Sequence, residues 1–320
     1  MRAMKKVQCS LALLGLVSLP ALATDIITVD PDGGGSLSSI QIGSLGWNNA
    51  FTIAVGALPT GSGTISVGDV FTTFGQGALS NFINANGDSV TPTGLNSSWE
   101  WTFVFGVQEV VTATGNNNAT FASTGAGTNF FDVYYGPKNS NITNGTGFAD
   151  GTLILSGSFL PFNTSTGSGI STFTESSTNA GNLDQFGGVN NYPGVQTVGG
   201  AGSFNLLASV TYANPLFFAN PLSLISVTNN GFTNVPFTET NPSSCYWDGS
   251  ALSSAIGPNT VGGPCTVNTV GAVNGIDGPN FAFESRPTSA FTTAVPEPGS
   301  VALIGLALGI LGWTVRRKQS

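Results

Sequence analysis

Ser203-Phe204-Asn205-Leu206-Leu207-Ala208-Ser209-Val210-Thr211-Tyr212 alternates apolar side chains with mostly polar ones. A β-strand sends successive side chains to opposite faces, so this period of two puts Phe204, Leu206, Ala208, Val210 and Tyr212 on one side of a sheet. Residues 99–105 repeat the pattern, with Trp99, Trp101, Phe103 and Phe105 set against Glu100, Thr102 and Val104. Gly106, which follows, reads as a bulge. Residues 129–135 and 152–159 are similarly rich in aromatic and aliphatic side chains, and 51–55, 70–74 and 222–227 read as shorter strands.

The punctuation between these runs fits. Asn86-Gly87, Asn144-Gly145, Asp150-Gly151, Asn230-Gly231 and Asp248-Gly249 carry the chemistry of tight turns, where a left-handed backbone is needed. Residues 163–182, rich in Ser, Thr and Gly, read as an exposed loop, and residues 74–84 as one short helix. Many short strands with Gly-rich turns predict an all-β fold, an antiparallel β-sandwich or jelly-roll-like exported domain. No charge run or Pro-rich linker divides it. The expected organisation is a signal peptide over residues 1–23, a β-rich domain over 24–287, a stalk over 288–294 and a terminal signal over 295–320.

The two ends supply the topology. Arg2, Lys5 and Lys6 precede an apolar run over residues 7–19, and Ala21-Leu22-Ala23 offers the small residues of a signal cleavage site, leaving Thr24 as the new N-terminus. At the other end Val295-Pro296-Glu297-Pro298 is held extended by its prolines. An apolar run over 301–315 follows, then Arg316-Arg317-Lys318, a basic stop that stays on the cytoplasmic side. Residues 300–315 make a helix of about 24 Å at about 1.5 Å per residue, short against a hydrocarbon core of about 30 Å. That shortness favours transient residence and processing over a permanent anchor.

Motif, apolar helix and basic end in this order resemble the PEP-CTERM sorting signal of Gram-negative bacteria, which is read by an exosortase, a membrane cysteine protease or transpeptidase. The resemblance implies a chain inserted transiently in the inner (cytoplasmic) membrane, then held at the cell surface or in the extracellular matrix. A second resemblance rests on Thr28-Val29-Asp30-Pro31-Asp32-Gly33, Trp99-Glu100-Trp101-Thr102-Phe103, Phe130-Phe131-Asp132-Val133-Tyr134-Tyr135, residues 145–154 and residues 278–284. In order and placement these blocks are similar to the flocculation-associated PEP-CTERM proteins of floc-forming bacteria. That family implies a role in holding cells within exopolysaccharide flocs or biofilm, and it supplies no catalytic residues.

Charge is segregated. Three of the eight basic residues lie in the signal and three at the very end of the tail, leaving Lys138 and Arg286 against all sixteen acidic residues between Thr24 and Pro298, a balance of −14 for the exported part. Such a body repels nucleic acid and anionic lipid, so no nucleic-acid partner is expected. Cys9 lies within the signal, and Cys245 and Cys265 remain as a pair in an exported chain, the pattern of a disulfide closing a Gly/Pro-rich loop of about twenty residues.

The chain contains no histidine, which removes Ser-His-Asp and Cys-His catalysis and H-E-x-x-H zinc sites. No phosphate-binding loop is present. Asp30-Pro31-Asp32-Gly33 fails as a calcium loop, since Gly34 and Gln41 stand where ligands are required. A carboxylate glycosidase using Glu100 and Glu109 stays open as a reading, with the alternative that both sit on the solvated face of a half-buried sheet. We therefore expect no enzyme, no cofactor and no metal. Trp47, Trp99, Trp101, Tyr134, Tyr135, Tyr192, Tyr246 and Trp247 could stack on sugar rings. Trp99 and Trp101 are expected in the core, whereas Tyr246 and Trp247, beside Cys245, are the expected glycan contacts of a carbohydrate-binding module. Partners implied are an exosortase and an extracellular polysaccharide.

Overall fold

The computed structural model describes residues 25–48, 50–57, 65–142, 144–182, 196–235, 245–253 and 280–293. The signal peptide, Tyr192, Cys265 and the whole terminal signal fall outside these residues. Within them the chain is all-β and contains no helix. The strands are β1 Ile27–Val29, β2 Ile40–Trp47, β3 Ala50–Val55, β4 Val70–Asn84, β5 Ser89–Val90, β6 Trp99–Gly115, β7 Asn118–Ser123 and β8 Asn129–Pro137. They continue as β9 Thr152–Phe159, β10 Ile170–Asn182, β11 Gln196–Ala213, β12 Leu222–Val235, β13 Tyr246–Trp247, β14 Leu252–Ser253, β15 Phe281–Ser285 and β16 Thr288–Thr293.

Every pairing between these strands is antiparallel, and all but the small β13–β14 hairpin belong to one sheet. The sheet closes on itself. Starting from β4, hydrogen bonding passes through β6, β8, β9, β11, β12, β16 and β2 and returns to β4. A second circuit runs from β4 through β6, β7, β10, β11, β12, β15 and β3 and also returns to β4. The circuits share β4, β6, β11 and β12, which have 15, 17, 18 and 14 residues. Such strands reach roughly 45–60 Å, two to three times the common strand length. Two rings are therefore stacked end to end on four continuous staves. Closure pairs the backbone groups that a free edge would leave open.

The alternation in the sequence fills the first ring. Trp99, Trp101, Phe103, Phe105 and Val107 of β6 meet Phe82 of β4, Phe131 of β8, Phe159 of β9, Phe204 of β11 and Phe291 of β16 in one cluster. Phe103 stands edge-on to Trp47 at 4.7 Å between ring centroids, and Trp101 does the same with Phe82 at 5.1 Å. Each buried ring contributes roughly 1.5–3 kcal/mol relative to exposure. A smaller cluster of Ala54, Ala57, Phe71 and Val111, joined by Phe121, Phe281 and Phe283, fills the second ring.

Several expectations are corrected. Residues 74–84 are strand, not helix: they lie in β4, which is paired to β3 and β2 on one side and β6 on the other, so tertiary pairing overrides local periodicity. Gly106 is no bulge, because it stays in register with Phe74 and Phe130. A Cβ there would meet Phe130 at 2.6 Å, so the glycine makes room for a ring. Asn230-Gly231 is no turn, and the ladder instead slips between Phe204↔Asn229 and Gly202↔Thr233, placing the pair in a bulge within β12. Residues 163–182 are a loop only at their start, since 170–182 form β10 between β7 and β11. The stalk expected over 288–294 begins as β16, paired to β12 and β2, because Ser289 and Phe291 are wanted inside the first ring. Tyr212 is 43% exposed rather than inward, since a register shift between Val210 and Tyr212 reverses the phase of β11.

Candidate functional site

The expected carboxylate pair is split by the pleat. Glu100 and Glu109 are an odd number of residues apart on β6 and face opposite sides of the sheet. Neither is on a solvated face, contrary to expectation: both are buried. Glu100 lies outside the ring but under the segment that follows β8. It accepts the amides of Asn139 (2.8 Å) and Ser140 (2.7 Å) and the Ser140 hydroxyl (2.6 Å), and it pairs with Lys138 at 2.9 Å. Thr102 donates to the Phe148 carbonyl at 2.7 Å and pins the same cover.

Glu109 points into the ring interior, between the two apolar clusters. Thr73 donates to its Oε2 at 2.6 Å and Ser171 donates to its Oε1. Burial pushes the carboxyl above its usual range, and these two hydroxyls only partly offset that. The carboxyl thus sits in a buried polar layer with Thr73 and Ser171.

The segment after Cys245 folds inward. Gln76 of β4 donates to the Cys245 carbonyl at 2.8 Å, and β13 lies against β4. Tyr246 is consequently fully buried, not exposed as expected, and its hydroxyl finds no hydrogen-bond partner among the described residues. Trp247 is half-buried, and its covered indole N–H likewise finds no partner among the described residues. A glycan contact through Tyr246 is overturned, because a side chain with no exposed surface cannot stack on a sugar.

Trp47, Trp99 and Trp101 are core residues. Tyr135 is different. It sits at the open end of the first ring beside Trp99, with centroids 5.9 Å apart, and both rings line a groove of about 540 Å³. Asp150 and Thr152, where the chain enters β9, and Ser98 line it as well, and all three are exposed. Gly136 and Gly151 also line it, and a Cβ on Gly151 would strike the Tyr135 carbonyl. Partial burial, with Asp32 and Asp30 nearby, pushes the Tyr135 hydroxyl up, so it remains a neutral donor. Asp150 Oδ2 accepts from Asn139 Nδ2 at 2.9 Å. The sequence points to Tyr135 as one aromatic among eight and to Asp150 as half of a turn, and both lie in blocks of the second resemblance, but nothing there joins the two. The missed signal was register: Tyr135↔Thr152 and Trp101↔Tyr135 bring these positions to one end of the ring.

Asp30 and Asp32 spend their carboxylates on their own loop. Asp30 accepts the amides of Asp32, Gly33 and Gly35, and Asp32 those of Gly34 and the Ser36 hydroxyl. Among the described residues no group of three or more His, Cys, Asp or Glu is placed to hold a metal ion.

The described residues form an all-β body whose antiparallel sheet closes on itself, with an aromatic groove at one end, and the tail carries the sorting information. Residues 294–318 match the family model described as the PEP-CTERM protein-sorting motif. The chain carries that motif, which implies recognition by an exosortase, export with membrane anchoring before processing, and sorting to the surface. No curated protein and no solved structure matches the chain.

Proposed function

We propose that the protein is an exported, non-enzymatic component of the cell surface or extracellular matrix that helps hold cells within exopolysaccharide flocs or biofilm. The observation that carries this reading is the sorting motif at residues 294–318 behind a body almost free of positive charge. The body's solubility comes from Asn, Ser, Thr and Gly, residues suited to a hydrated polymer. In this reading the stacked rings act as a sandwich-like spacer, and a Cys245–Cys265 disulfide ties the loop beside β13 to the body.

A second reading, a carbohydrate-binding module, is favoured by the groove at Trp99 and Tyr135. A glycosidase built on Glu100 and Glu109 has no support in the geometry. Their Cα atoms are roughly 30 Å apart at about 3.3 Å per residue, against about 5–9.5 Å between catalytic carboxyls.

The experiment is a clean deletion of the gene in a floc-forming host. Floc settling should fall while polysaccharide output is maintained, and the full chain should restore it. Unaltered settling in the deletion strain would sink the proposal.

A further inference from the structure

We propose that the groove between Trp99, Tyr135 and Asp150 is a binding site for a segment of an uncharged polysaccharide chain. The inference rests on the matrix reading above and names the site and ligand class within it.

The groove has the size of a small-ligand site, about 540 Å³, and it is open to solvent rather than enclosed, as binding to part of a longer chain requires. Tyr135 is half-buried and lines the groove, and it is packed on Phe217 at 5.1 Å and beside Trp99, which fixes its orientation in advance. A rigid ring of this kind offers contact area at little entropic cost, and its face suits the C–H face of a sugar.

The polar groups complete the match. Asp150 Oδ1 accepts no hydrogen bond among the described residues, and Asp150 is exposed. A carboxylate with a free oxygen beside an aromatic ring accepts from sugar hydroxyls, and charge-assisted bonds of this kind are the strong ones. Ser98 and Thr152 add exposed hydroxyls, and the Tyr135 hydroxyl stays protonated.

Charge and topology narrow the ligand. Lys138, next along the chain from the groove, is committed to Glu100 and to the carbonyl and hydroxyl of Ser140. The carboxylates of Asp30, Asp32 and Asp150 lie around the site. A uronate or sulfated polymer would meet repulsion with no cation to offset it. An extended peptide would need an open strand edge beside the aromatic ring, and Tyr135 of β8 is paired on both sides, to Trp101 of β6 and to Thr152 of β9.

The test uses the purified exported chain and titration calorimetry with neutral glucan, mannan and galactan oligosaccharides, with alginate and chitosan oligosaccharides as charged controls. Asp150→Asn removes the charged acceptor without changing shape, and Thr152→Arg, at an exposed position, fills the groove. Each should weaken binding of a neutral oligosaccharide by about tenfold or more, with thermal unfolding unchanged. Tyr135→Ala should abolish binding, but it also removes packing on Phe217, so the first two variants decide. Neutral-sugar binding that survives both overturns the groove while leaving matrix binding elsewhere on the body intact. Binding of only a charged polymer, or of none, also overturns it, and the floc phenotype of the deletion strain then judges the broader reading separately.

Discussion

The Asp25 carboxylate accepts both the amide and the hydroxyl of Thr293, each at 2.7 Å, and the Asp25 amide donates to the Phe291 carbonyl at 2.9 Å. The residue just after the expected signal cleavage is thereby clasped to the residue just before the sorting motif. The two segments that address the membrane leave the body from one point, at the ring end that also carries the groove. The Thr293 hydroxyl and amide hold the Asp25 carboxyl below its usual range. A depressed acid contributes stability above its unfolded pKa of about 3.9 and loses it as pH falls through the folded value. Asp25→Asn should therefore flatten the acid limb of the stability–pH curve by less than about 1 kcal/mol, since solvent screens the group. Chemical denaturation across the acid range measures it.

Glu109 predicts the opposite slope. Its carboxyl is raised by burial, so its contribution is complete below the unfolded value of about 4.3 and is lost as pH rises through the folded one. Glu109→Gln, neutral at every pH, should remove that loss and stabilise the body on the alkaline side. Thr73→Val strips one partner from a buried carboxyl and should cost about 1–3 kcal/mol. Denaturant midpoints over a pH series would show both. A pH-independent difference between Glu109→Gln and the parent would contradict the account.

Gly75 and Gly77 sit opposite Phe105 and Phe103 across the β4–β6 ladder. A Cβ on Gly77 would lie 2.8 Å from the Phe103 ring, and one on Gly75 would enter the Phe105 ring. Alanine at either position should lower stability by about 1–3 kcal/mol through overpacking, despite its better intrinsic propensity. Thermal unfolding reads this directly, and an unchanged or raised midpoint would mean the rings do not occupy that space.

Tyr246→Phe separates burial from recognition. The hydroxyl is buried without a partner among the described residues, so its removal should leave stability unchanged or raise it by about 1 kcal/mol, and glycan binding should not change. Lost glycan binding in this variant would restore the contact that burial removes.

Strand identity was legible wherever aromatic alternation was strong. The period of two over 99–105 and 203–210 marks inward faces correctly, and 152–159 coincides with β9. Legibility failed where the information is non-local. Glycines at 75, 77 and 106 look like breakers in one dimension, but in three they are the seats of rings on neighbouring strands. Asn230-Gly231 looks like a turn because the local chemistry of a bulge is the same. Ring closure depends on β16 reaching β2 and on β15 reaching β3, pairings between chain ends that no window can contain. The site was half legible: Tyr135 was among the aromatics, but Asp150 joins it only through the register of β8 with β9. Tyr246 misled because its Gly-rich surroundings read as surface, while Gln76 draws the segment inward.

The tail, not the body, should set where the protein ends up. The most direct measurement compares surface labelling and fractionation of the full chain with those of a chain lacking residues 295–320, in a host with an exosortase. The full chain should be processed and retained at the surface, whereas the shortened chain should be exported but not retained. Equal surface retention of the two would contradict it.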